Sequence, residues 1–203
     1  MDIFIVGIFI VLNVAISWLN CVTLGKVWVE MTHANIGTKL LAWLFALMPS
    51  IGFTWSYLII LVLIGYSTNH LSAEAATATM SLGYIIIVPG LLISGFAYML
   101  RSWAMAYRTR SFTHAGVAGW NTFAQAYNTY NAIQGFGPAF DNVFKFFFKG
   151  KGKKDQNTLV LALVLLALLG GILTTSALIK HYAAQEPMPA IATKSPDVSS
   201  SWE

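Results

Sequence analysis

Hydrophobic residues are concentrated in four long stretches of the chain, at 3–24, 40–66, 81–100 and 158–179. None of these stretches contains Asp, Glu, Lys, Arg or His. About 20 helical residues are needed to cross the roughly 30 Å of hydrocarbon in a bilayer. Each stretch is therefore long enough to form a transmembrane helix.

The segment between the third and fourth stretches has a different pattern. Trp120, Phe123, Tyr127 and Tyr130 recur at spacings of three, four and three, which is the period of an α-helix. The run Gly135–Phe–Gly–Pro138 is predicted to end that helix. A second short helix should follow, with an apolar face that includes Phe140, Phe144 and Phe147.

Composition supports a membrane location. Hydrophobic residues make up 57% of the 203 residues, and charged residues only 10%, against roughly 25% in an ordinary soluble domain. Such a chain cannot coat itself with charge, so lipid must cover much of its surface. The predicted fold is all-α, a polytopic membrane protein with four transmembrane helices and interfacial amphipathic helices on the cytoplasmic side.

Basic residues predict the orientation. Ten Lys and Arg residues fall within or beside the two segments that join the first stretch to the second and the third to the fourth, and only two follow the fourth. Because cytoplasmic loops carry an excess of Lys and Arg, we expect residues 101–157 to be cytoplasmic and both termini to lie outside the plasma (inner) membrane. Residues 1–180 would form the membrane domain, and residues 181–203 a flexible external tail.

The same charges suggest contact with anionic lipid, since a lysine or arginine near such a surface contributes about 1 kcal/mol. The predicted contact residues are Arg108, Arg110, Lys145, Lys149, Lys151, Lys153 and Lys154.

The aromatic segment has three competing interpretations. An apolar face flanked by lysines is typical of a helix that lies on membrane lipid. Its many Asn and Gln residues favour contact with another subunit or a second copy of the chain. Nucleic-acid binding is the weakest interpretation, although lysines and aromatics together can track phosphates and stack bases.

Polar and small residues inside the stretches also follow helical spacing. Asn13, Ser17 and Asn20 form one polar stripe, and Gly171 belongs to a small-residue stripe. Such residues let membrane helices pack closely and bond to each other. The alternative is that the asparagine stripe lines a pore.

No catalytic, metal or cofactor site is predicted. His70 and Glu74 lie four residues apart, but zinc requires three or four ligands. The sequence thus favours a non-enzymatic membrane subunit with a structural, scaffold or accessory role in a larger assembly, such as a secretion, conjugation or phage-related machine. The alternative function is an oligomeric channel lined by the Asn and Ser residues of the first stretch.

Overall fold

The computed structural model describes residues 3–149 and 154–185. These residues form five α-helices, and no strand occurs among them. The helices are α1 (Ile3–His33), α2 (Ile36–Ser67), α3 (Ala73–Thr109), α4 (Phe112–Phe147) and α5 (Lys154–Gln185). Helices α1, α2, α3 and α5 are long and apolar enough to cross a membrane, which confirms the predicted all-α fold with four candidate spans.

Short connections make successive helices antiparallel. Only residues 34–35 separate α1 from α2, and only Arg110 and Ser111 separate α3 from α4. Asn35 caps α2, because its side chain accepts a hydrogen bond of 2.9 Å from the backbone N–H of Thr38. Ser72 caps α3 in the same way, and α3 ends where Arg110 adopts a left-handed conformation, with φ 49°.

Helix α2 lies at the centre of the bundle and packs against α1, α3 and α5. Close contacts at small residues hold it there: Gly52 faces Ser17 of α1, and Gly83 of α3 faces Leu58. Helices α1 and α5 run parallel and meet where Trp18 donates a 2.9 Å hydrogen bond to the Tyr182 hydroxyl. Within a bilayer this kind of packing and bonding replaces the hydrophobic effect as the source of helix association.

Helix α4 is continuous, so the predicted break at residues 135–138 is wrong. Gly135 does not end the helix but admits Tyr84 of α3, whose ring a Cβ at this position would overlap. The Tyr84 hydroxyl donates to the carbonyl oxygens of Asn131 and Ala132, at 3.2 and 3.3 Å. Pro138 removes one backbone donor without breaking the helix, as prolines in membrane helices often do.

The described ends of the chain lie at opposite ends of the bundle. Helix α5 starts near the α2–α3 connection, where the Gln156 side chain bonds to Ser72 and His70. It ends beside Gly25, near the other end of α1. This arrangement follows because α4 runs back along α3. The side of the membrane on which each terminus lies stays a prediction.

Candidate functional site

The candidate site is the outer face of α4, meaning the side of this helix that points away from α3. The four predicted docking aromatics lie on it: Trp120, Phe123, Tyr127 and Tyr130 are between 60% and 69% exposed. Helix α4 packs mainly against α3, so none of the other described helices covers this face. Phe140 and Phe144 are also exposed, whereas Phe147 packs partly into the cluster around Phe146 and Ala75.

The inner face of α4 carries amide side chains that bond to α3. Asn121 donates to the Ser102 hydroxyl at 2.6 Å, and Gln125 donates to the Leu92 carbonyl at 3.0 Å. Asn142 donates to the Ser81 hydroxyl at 3.1 Å. Because Gln125 is only 5% exposed, its amide would be costly to bury without such a partner.

Sequence reasoning missed this inner face. The amides of the aromatic segment favour contact with another subunit when they are judged from the sequence alone. The available signal was spacing, since Asn121 and Gln125 lie four residues apart and Ala118 and Ala132 complete the same helical face. A small and polar stripe opposite an aromatic stripe is the pattern of a helix that packs inward through its polar side.

The outer face is not purely apolar. Asn131 and Gln134 are exposed on α4, and neither side chain has a hydrogen-bond partner among the described residues. Gly116, Gly119 and Gly137 add notches, because a Cβ at any of them would meet no atom within 4 Å. The whole face between Arg110 and Asp141 lacks Asp, Glu, Lys and Arg.

The predicted anionic-lipid residues lie at both ends of α4. Arg108, in the last turn of α3, and Arg110, in the connection, lie next to the start of α4. Lys145 and Lys149 lie at its far end, about 50 Å away at 1.5 Å per helical residue. Lys145 also forms an ion pair with Asp141. Lys154 begins α5, and Lys151 and Lys153 lie outside the described residues. Their contact with anionic lipid stays a prediction.

The asparagine stripe of α1 lines a cleft of about 300 Å³ between α1, α2 and α3. Asn13 donates a 3.0 Å hydrogen bond to the Phe9 carbonyl of its own helix. Ser17 is buried, 3% exposed, against Gly52 of α2. Asn20 lines the same cleft, whose other walls are mostly apolar. Gly171, from the other stripe, lies against Thr54 of α2.

Within residues 3–149 and 154–185, no three His, Cys, Asp or Glu side chains are placed to hold a metal ion. His70 instead bonds to the Thr68 hydroxyl at 3.0 Å. Neither a family model, nor a curated protein, nor a solved structure matches this chain.

Proposed function

We propose that this protein is a non-enzymatic membrane subunit that joins a larger assembly through the outer face of α4. The observation that carries the proposal is the mixture of groups on this face. Exposed aromatic rings alternate there with the amides of Asn131 and Gln134, which have no partner among the described residues, and no charged side chain interrupts them between Arg110 and Asp141.

Neither water nor lipid suits this mixture. In water, the exposed rings of Trp120 and Phe123 would cost about 25 cal/mol for each Å² of apolar surface. In hydrocarbon, the amides of Asn131 and Gln134 would lack hydrogen-bond partners, which costs several kcal/mol for each group. A protein surface can cover the rings and also bond to the amides, as the aromatic-rich cores of protein interfaces do.

The partner is a second copy of this chain or another membrane subunit, and membrane lipids cover the remaining apolar helices. Gly116, Gly119 and Gly137 favour a helix as the contacting element, because small residues let two membrane helices approach closely. The role is structural, scaffold or accessory, in a machine of the secretion, conjugation or phage-related kind.

Photo-crosslinking in the native membrane tests the proposal. A photoreactive amino acid at Tyr127 should form adducts with protein, and mass spectrometry of the adduct would identify the partner. The matched control is Leu173 of α5, which is similarly exposed at 65% but lies in a segment, residues 158–184, without Asn or Gln. We expect lipid adducts alone from Leu173, and the same result from Tyr127 would contradict the proposal.

The second candidate function is an oligomeric channel. It is supported by the placement of Asn13, Ser17 and Asn20 on one wall of the same cleft. Planar-bilayer recording with the purified chain tests it. A conductance that Asn13→Leu abolishes and Gly7→Leu preserves would support the channel, and a silent unmodified chain would count against it.

A further inference from the structure

Hydrogen bonds join the section from Ser81 to Ser102 of α3 to the section from Asn121 to Asn142 of α4. At one end Asn121 bonds to Ser102, and at the other Asn142 bonds to Ser81. Gln125 and Tyr84 contribute bonds between these two points. The bonded part of α3 covers 21 helical steps, which correspond to about 31 Å.

This distance matches the hydrocarbon thickness of a bilayer, which is about 30 Å. The bonded part of α3, from Ser81 to Ser102, nearly coincides with its uncharged section: residues 81–100 contain no Asp, Glu, Lys, Arg or His, and Arg101 follows them. Helix α4 lies antiparallel beside this section, with Asn121 next to Ser102 and Asn142 next to Ser81. Residues 121–142 therefore lie at the same depth along the membrane normal as the third candidate span.

The composition of α4 fits that depth. The 30 residues from 111 to 140 contain no Asp, Glu, Lys or Arg. Charges appear only where the helix would leave the bilayer, at Arg108 and Arg110 on one end and at Asp141, Lys145 and Lys149 on the other. Its amides lower its hydropathy, but three of them bond to α3 and so do not face lipid unpaired.

We propose that α4 is a fifth transmembrane helix, so that the chain crosses the bilayer five times. The ends of the described helices, at Ile3 and Gln185, then lie on opposite sides of the membrane. This inference rests on the partner proposed above in one respect, because Asn131 and Gln134 are exposed at that depth and need a protein surface rather than lipid to bond to them.

Five crossings also redistribute the basic residues. Lys26, Lys39, Arg101, Arg108 and Arg110 belong to one side of the membrane, together with Lys180. Lys145 and Lys149 belong to the other side, and by their positions in the sequence so do Lys151, Lys153 and Lys154. The two sides then carry similar numbers of basic residues, so the positive-inside rule no longer selects an orientation.

Single-cysteine labelling tests the inference, and the chain is well suited to it because Cys21 is its one cysteine. In a Cys21→Ala background, Ser111→Cys and Lys149→Cys report on the two ends of α4. Ala34→Cys and His70→Cys report on the α1–α2 and α2–α3 connections. Sealed vesicles are treated with a membrane-impermeant maleimide before and after lysis.

We expect positions 34 and 111 to be labelled from one side, and positions 70 and 149 from the other. If α4 stayed on one side of the membrane, positions 34, 111 and 149 would all be labelled from that side. Labelling of positions 111 and 149 from the same side of the vesicles therefore overturns the inference. A reporter fused after the last residue gives a second test that does not depend on the cysteine variants. It should be accessible from the same side as position 111, and accessibility from the side of position 70 would overturn the inference.

Discussion

Gly171 of α5 lies directly against Thr54 of α2, so closely that a Cβ on Gly171 would overlap the Thr54 hydroxyl and crowd the Ser50 carbonyl. The buried Thr54 is only 3% exposed and belongs to the central helix of the bundle. The contact therefore fixes how near α5 can approach α2.

Gly171→Leu should destabilise the bundle, because overpacking of a tight contact costs about 1–3 kcal/mol. The measurement is the free energy of unfolding in detergent micelles. Gly7→Leu is the matched control, since a Cβ at Gly7 has open space around it. Equal losses in the two variants would mean that the α2–α5 contact does not limit stability.

Gly135 and Tyr84 should be energetically coupled. A Cβ on Gly135 would overlap the Tyr84 ring, so Gly135→Ala should lower the free energy of unfolding by about 1–3 kcal/mol. In a Tyr84→Ala background the same substitution should cost little, because the obstructing ring is gone. A loss of the same size in both backgrounds would show that Gly135 acts through α4 alone.

The Asn142–Ser81 bond should contribute measurably to the pairing of α3 and α4. A double-mutant cycle with Asn142→Ala and Ser81→Ala should give a coupling of about 0.6 kcal/mol, the typical value for hydrogen bonds between membrane helices. A control cycle pairs Asn142→Ala with Ser102→Ala, two positions at opposite ends of the bonded section. The effects of those two changes on the free energy of unfolding should be additive. A coupling as large as that of the Asn142–Ser81 pair would mean that the first cycle does not measure the hydrogen bond.

Cys21 should resist alkylation while the bundle is folded. Its side chain is 0% exposed and belongs to the cluster that contains Phe45 and Phe53. We expect maleimide to react with it at least about a hundredfold more slowly than with Ala34→Cys in a Cys21→Ala background, which corresponds to an opening cost of about 2.7 kcal/mol. Similar rates at the two positions would show that this cluster opens readily.

The sequence predicts the four candidate spans well, because each is a continuous uncharged stretch of the required length. It also places Trp120, Phe123, Tyr127 and Tyr130 on one helical face, and they lie together in the structure. Their role in docking stays a prediction. What the sequence predicts poorly is α4 as a whole, for two physical reasons.

The first reason is that Gly135 and Pro138 are typical helix breakers, yet a tertiary contact decides their effect here. Gly135 is needed for the approach of Tyr84, which no local pattern reveals. The second reason is that a hydropathy scale scores Asn121 and Gln125 as polar residues, which lose their hydrogen bonds to water inside a membrane. Their hydrogen bonds to α3 supply the partners that water would have supplied, and those bonds become visible only when the two helices are seen side by side.

The two-residue connection formed by Arg110 and Ser111 has a consequence for biogenesis. Helix α4 is too rich in amides to partition into lipid by itself, and on the proposed topology it must enter the bilayer already paired with α3. The tight turn keeps the two segments adjacent as they leave the ribosome, so the two helices would insert together as one helical hairpin. Lengthening this turn with a flexible linker should therefore impair membrane integration of α4 before it affects any other helix.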